Sequence, residues 1–221
     1  MLPEDGGFYP VSAVPIDASD SGLPLMLATG VAPSSEDPRI AIIEAGRDPV
    51  RLRETTLKME GASEHPQAAR FSTLGSRPLL QFSYRDPAQP TASYIVGAAV
   101  CVEPRSVEAP TVDCSPLVQL RLPFGEAYPS NLLKSELDEP PMLTLPQGGA
   151  RAFVATAARE RTCIRVTPLN ASTIADATGD CPLEVAGQVL GMAAASDSQL
   201  LVVSREDRPA PTFRLLRISG L

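Results

Sequence analysis

Apolar and polar positions alternate in short runs along this chain, and the strongest runs come in pairs. LPLMLATG (23–30) is followed by PRIAIIEA (38–45), and RPLLQFSYR (77–85) by ASYIVGAAVCVE (92–103). ARAFVATAA (150–158) is followed by RTCIRVTPL (161–169), and SQLLVVSRE (198–206) by PTFRLLRIS (211–219). Each pair is joined by a few turn-forming residues, as β-hairpins are. In TCIRVTPL, Ile164 and Val166 alternate with Arg165 and Thr167, the period of a strand with one face in solvent. YIVGAAV and LLVV are unbroken apolar runs, which predict strands covered on both faces. Weaker strand patterns occupy 9–16, 50–59, 117–124 and 184–195. Residues 61–76 and 125–149 read as loops or decorated turns. Within the second of these, SNLLKSELDE (130–139) predicts a turn or two of helix, with Ser130 as the cap and Leu132, Leu133 and Leu137 on one side.

A similar junction follows each of the first three hairpins. It reads Asp48-Pro49-Val50, then Asp113-Cys114-Ser115-Pro116-Leu117, then Asp180-Cys181-Pro182-Leu183. The near-constant interval predicts a structural repeat. The expected units are 8–46, 48–103, 113–169 and 180–219, each holding one or two weaker strands and then a hairpin. This layout resembles the blades of β-propeller proteins, although no WD dipeptide, kelch glycine pair or Asp-box motif accompanies it. The expected fold is therefore all-β, a propeller-like array of about four antiparallel units, complete or part of a larger propeller. A β-sandwich built from the same hairpins is the alternative.

In that layout Cys101 and Cys163 lie on the last strand of a unit, and Cys114 and Cys181 lie just past it. Bridges Cys101–Cys114 and Cys163–Cys181 would each close a short loop and pin one unit to the next. The Asp48 junction has no cysteine, so the link forms unbridged there. The four cysteines include no CxxC pair and have one histidine to assist them, which argues against a zinc site.

Composition adds compartment and partner class. Twenty-three prolines and no tryptophan fit strands between stiff loops. The net charge of −7 disfavours nucleic acid and anionic membranes as partners. The longest apolar runs fall short of the ~20 residues of a membrane-spanning helix. The start, MLPEDGGFYP, lacks the basic and apolar regions of a signal peptide, so the chain is either intracellular or a mature or truncated segment. The paired cysteines favour the second, in an extracytoplasmic (periplasmic, cell-surface or secreted) compartment. Abundant alanine, arginine and proline point to a GC-rich bacterial gene.

Candidate chemistry is sparse. His65 is the single histidine, sits in the loop-like SEHPQ, and has no GxSxG serine to serve. PQGGAR (146–151) reads as a turn and not as a phosphate loop. Acids gather at Glu36-Asp37, Glu136, Asp138-Glu139 and Glu206-Asp207, all in polar loops. DASDSG (17–22) is the nearest approach to a cation loop. Arginines recur on strands, at Arg51, Arg53, Arg121, Arg151, Arg159, Arg161, Arg165, Arg214 and Arg217, and salt bridging is their expected role. Asn170-Ala171-Ser172 fits the glycosylation triplet, which matters only in a eukaryotic secretory setting. The sequence thus predicts a non-enzymatic binding module or scaffold without cofactor or metal, taking a protein or glycan. Its expected contact surface is Tyr128, Leu132 and Leu133 in the second long loop. The alternatives are a carbohydrate-active hydrolase or lyase using loop carboxylates, and a subunit or fragment of a larger propeller assembly.

Overall fold

The computed structural model describes residues 7–16, 19–32, 35–46, 49–62, 66–91, 93–123, 142–158, 161–170, 173–176, 181–206 and 210–221. Among these residues every element is a strand: β1 (Tyr9–Ile16), β2 (Leu25–Ala32), β3 (Ser35–Glu44), β4 (Arg51–Met59), β5 (Ala68–Leu74), β6 (Arg77–Arg85), β7 (Ser93–Cys101) and β8 (Thr111–Pro123) come first. They are followed by β9 (Met142–Thr144), β10 (Arg151–Ala158), β11 (Arg161–Pro168), β12 (Ile174–Asp176), β13 (Leu183–Ala186), β14 (Gln188–Ser196), β15 (Gln199–Glu206) and β16 (Thr212–Ser219). The all-β expectation holds, and all four hairpins form, as β2–β3, β6–β7, β10–β11 and β15–β16. The chain divides into two compact units, 1–84 with 98–117 and 85–97 with 118–221.

Strands β1–β8 form two meanders, of which residues up to 84 and 98–117 belong to the first unit. β1, β2, β3 and β4 pair antiparallel in chain order. β5 pairs antiparallel with β6, which neighbours β7, which neighbours β8. The connections 86–92 and 102–110 are shorter than the dozen or so residues that a parallel crossover needs, so these strands also run up and down. The two meanders are fused where β4 and β8 pair in parallel, from Thr56 opposite Thr111 to Met59 opposite Cys114. Thr55 and Thr56 add hydroxyl donation to the carbonyls of Ala109 (3.1 Å) and Pro110 (3.2 Å). The sheet then runs β1-β2-β3-β4-β8-β7-β6-β5. Its two ends meet where the Phe71 N–H of β5 donates to Ser12 Oγ of β1 at 2.7 Å. The result is a nearly closed, barrel-like sheet, with Leu25, Leu27, Ile42, Leu80 and Phe82 fully buried.

The second unit holds two antiparallel sheets, β13-β11-β10-β9 and β14-β15-β16. Phe153, Ile164, Val185, Val189, Leu200 and Val202 form their shared core. Polar ties set the junctions. Thr162 Oγ1 donates to the Gly187 carbonyl (2.8 Å) and accepts from the Val189 N–H (3.1 Å), holding the β13–β14 corner against β11. The Asp197 carboxylate accepts from the Ala150 and Arg151 N–H groups at 2.9 and 3.0 Å, fixing the entry to β10.

Three sequence expectations are corrected. The junction strands do not open new units: β4 pairs with β3 and β13 with β11, so each closes the meander of the hairpin before it, and β4–β8 pairing joins the first two meanders into one sheet. Residues 61–76 contain β5, because Gly75-Ser76 makes a two-residue hairpin turn, with Gly75 at φ 65° and Leu74 opposite Arg77. The single run expected at 184–195 is cut into β13 and β14 by Gly187 at φ 77°.

Both disulfides form with the expected partners, Cys101 with Cys114 and Cys163 with Cys181. Their setting differs from the expected link between units. Cys101 ends β7 and Cys114 lies in β8, with Cα atoms 4.0 Å apart and the Val102 N–H donating to the Asp113 carbonyl at 2.8 Å. Cys163 lies in β11, and Cys181 leads into β13, the antiparallel neighbour of β11. Each bridge therefore staples the third strand of a meander to its fourth. Asp48 and Asp180 lie outside the described residues.

Replacing Cys101 and Cys114 together with alanine is expected to cost about 3 kcal/mol in urea unfolding, through the lost loop constraint. The denatured, unreduced wild-type chain should titrate no free thiol. Gly187→Ala should cost about 2–4 kcal/mol. An added Cβ there would sit 2.2 Å from the Arg205 carbonyl oxygen, on a backbone that already needs positive φ. An unchanged urea midpoint for this variant would show that the corner relaxes freely.

Candidate functional site

The candidate surface Tyr128, Leu132 and Leu133 lies outside the described residues, as do His65 and the acids Glu136, Asp138, Glu139 and Asp207. Of the acids in the expected loop clusters, Glu206 has a described side chain, and it accepts from Arg214 at 3.2 Å. Most strand arginines meet acids as expected. Arg51 and Arg53 both reach Glu108, Arg161 reaches Glu184 at 2.8 Å, and Arg39 reaches Glu54 at 2.7 Å. These pairs are largely solvent-exposed and contribute little to stability. Among the described residues no group of three or more metal-ligating side chains converges.

A buried carboxylate, Asp86, anchors a polar cluster. Asp86 ends the β6 strand and opens the turn to β7. Its Oδ1 accepts from the Ala88 N–H at 2.9 Å, and its Oδ2 accepts from Ser93 Oγ at 3.1 Å and Arg121 Nε at 2.5 Å. Arg121 Nη1 continues to Asp176 Oδ1 at 2.6 Å, across the parallel β8–β12 pair in which Asp176 stands opposite Arg121. Burial alone pushes the Asp86 carboxyl up, but the hydrogen bonds from Arg121, Ala88 and Ser93, with the Arg121 charge, hold it below the ordinary value of 3.8. The hydrogen bonds to Asp86 and Asp176 raise Arg121 further above its already high value. Ser93 is buried, and its hydroxyl is taken up in donation to the Asp86 carboxylate. The cluster's chemistry is that of a satisfied ion network tying turn, β8 and β12 together.

The other distinctive feature is apolar. Nine large apolar side chains are exposed among the described residues, and five of them, Leu190, Leu201, Val203, Phe213 and Leu215, belong to the β14–β15–β16 sheet. The alternation of β15 explains this. Leu200, Val202 and Ser204 point into the core, and Leu201, Val203 and Arg205 point out. Register aligns the outward rows: Gly191, Val203 and Leu215 lie side by side, then Ala193, Leu201 and Arg217. Arg205 stands opposite Phe213, and its guanidinium carbon lies 6.0 Å from the Phe213 ring centre. A register shift between Val189 and Gly191 turns Leu190 outward, and a Cβ on Gly191 would meet nothing within 4 Å. On this face Phe213 and Leu215 are the most open, at 65% and 73% of full exposure.

No protein-family model matches this chain, and a search of curated proteins returns no match. The face must therefore be read from its own chemistry. LLVV was expected to be covered on both faces. The run YIVGAAV, predicted alike, is buried along the whole of β7, whereas LLVV is buried on one side only. The signal for the face was thus in the sequence as surplus apolarity. What sequence could not show is which side the core leaves bare.

The Asp86 cluster generates a pH prediction. A carboxyl held below its unfolded value stabilises the fold above that value, near 4, and the contribution fades as pH falls through the lower folded value. Asp86→Asn is expected to lose about 2 kcal/mol at pH 7, since it weakens charged hydrogen bonds and leaves Arg121 poorly compensated. Urea unfolding at pH 7 and pH 3 should show the gap between variant and wild type narrowing on acidification. A gap of equal size at both pH values would show that Asp86 acts by packing alone.

Proposed function

We propose that this chain is a non-enzymatic binding module of an extracytoplasmic, oxidising compartment, and that a protein docks on the outward face of β14–β16. The observation that carries the reading is the concentration of exposed apolar side chains on that one face. Leu201, Val203, Phe213 and Leu215 form a continuous patch flanked by Arg205 and Arg217, and apolar patches of this kind mark protein contacts. Aromatic and arginine side chains are also those that carry most interface energy. Covering each of the large apolar groups contributes about 1.5–3 kcal/mol, so a complementary partner has sufficient driving force. A glycan-binding face would instead offer more hydrogen-bonding groups around its aromatic.

Two disulfides support the oxidising setting. No helix among the described residues is long and apolar enough to cross a membrane. The propeller resemblance is supported best by the second unit. There β9, β10, β11 and β13 form a four-stranded antiparallel sheet in chain order, and β14–β16 a three-stranded one, as successive blades do. We read these as blade-like repeats, with a bacterial propeller assembly as the context.

The test is a photo-crosslinking amino acid placed at Val203, the centre of the face, in chain made by its own host. A discrete adduct with another protein is expected from this position and not from Lys58, an exposed site on β4. Leu201→Asp on the same face should remove the adduct. Absence of any adduct at Val203, or one indifferent to Leu201→Asp, would sink the reading.

A further inference from the structure

We infer that the outer edge of β16 pairs antiparallel with the same edge of a second copy of this chain, about a two-fold axis at Leu215. The inference rests on the edge, not on a partner for the face. β16 ends its sheet, and no strand is hydrogen-bonded to its outer side among the described residues. Other edges are short or met. β1 and β5 approach each other through Ser12 and Phe71, β9 and β13 are brief, and β14 donates its Ala194 N–H to Thr144 of β9 at 3.3 Å. Monomeric proteins blunt a long edge with proline, lysine, bulges or an uncompensated inward charge. β16 contains neither proline nor lysine, and its pairing with β15 runs from Glu206–Thr212 to Gln199–Ser219 without a register shift. Its Arg214 is compensated by Glu206. Each of the three preceding meanders has a fourth strand, β4, β8 or β13, and among the described residues no such strand lies beside β16.

The sequence of β16 selects a second copy as that strand. An axis perpendicular to the sheet keeps outward residues opposite outward residues. With the axis at Leu215, Leu215 faces Leu215 of the second copy, Phe213 faces Arg217, Arg214 faces Leu216, and Thr212 faces Ile218. No arginine stands directly opposite another, and each Phe213 gains a second guanidinium beyond Arg205. Moving the axis to Arg214 or Arg217 opposes two like charges, and moving it to Leu216 sets Phe213 against Ser219. The long-range repulsion between two chains of net charge −7 is screened beyond about 8 Å at physiological ionic strength. Pairing would join two three-stranded sheets into one of six strands and place the two apolar faces side by side.

Sedimentation velocity in the tens of micromolar at physiological ionic strength should give the dimer mass. Leu215→Lys sets two ammonium groups opposite each other and should weaken association about 100-fold. Leu215 is largely exposed, so an unchanged melting curve checks that the variant still folds. Leu215→Cys supplies a second, geometric readout. Directly opposed residues lie about 4.5–5.5 Å apart at Cα, within disulfide reach, so that variant should crosslink to a covalent dimer on mild oxidation. Val203→Cys, one strand in, would stand roughly 14 Å from its mate and should not. A monomer in sedimentation, or equal crosslinking from the two positions, overturns the proposal. A monomer whose Val203 still crosslinks to another protein would sink the dimer and leave the binding face intact.

Discussion

The parallel pairing of β4 with β8 is the contact on which the first unit depends. Each meander alone is a four-stranded sheet with two edges and one face to hide. Pairing their last strands removes two edges at once and lets the combined sheet curl until β1 and β5 approach. Full closure is what removes sheet edges altogether, and the Ser12–Phe71 contact brings this unit near it. The pairing is also entropically demanding, because it joins strands separated by two hairpins. The Cys101–Cys114 bridge offsets part of that cost by holding β8 against β7, close to where Cys114 stands opposite Met59 of β4.

The same logic runs through the other bridge. β4, β8 and β13 each fold back onto the second strand of a preceding hairpin, and a disulfide fixes that return in two of the three cases. The uncrosslinked case, β4 on β3, has an ionic substitute. Arg51 stands opposite Glu44 in the register and lies 3.7 Å from its buried carboxylate, and it also reaches Glu108 at 2.5 Å. Ser21 Oγ donates to the same Glu44 at 2.9 Å, so the charge is embedded in polar contacts on both sides. Covalent and ionic staples thus serve equivalent positions in successive meanders.

Much of this was legible in the chain. The four hairpins follow from paired apolar runs, and the cysteine partners from their place relative to those runs. What failed was strand ownership. Asp-(Cys)-Pro looks the same whether the next strand starts a new sheet or completes the old one, because the choice depends on pairing across space and not on local propensity. β5 was missed for a different reason. AARFSTL carries few β-branched residues, and its strand character is imposed by the Gly75-Ser76 turn and by β6 beside it. The contact surface expected in the second long loop lies outside the described residues, among which five of the nine exposed large apolar groups belong to one regular strand face. The clue is LLVV, whose unbroken apolar run predicts cover on both faces, whereas among the described residues one of its faces is covered.

That mismatch separates the second unit's last sheet from the rest of the molecule. Apolar side chains on a strand's outer face bring no benefit to an isolated sheet, since water contacts them before and after folding. Charged or polar groups would serve there equally well and would guard against aggregation. Yet β15 and β16 set Leu201, Val203, Phe213 and Leu215 outward, on a sheet whose β16 edge has no partner strand among the described residues. The arginines at both ends of the patch keep it from being uniformly greasy, and Arg205 lies over Phe213, shielding part of the ring. Among the described residues, the apolar face of β14–β16 is thus rimmed with arginine on a chain of net negative charge. At physiological ionic strength that net charge is screened beyond about 8 Å, so at contact distance the apolar area and the local arginines outweigh it.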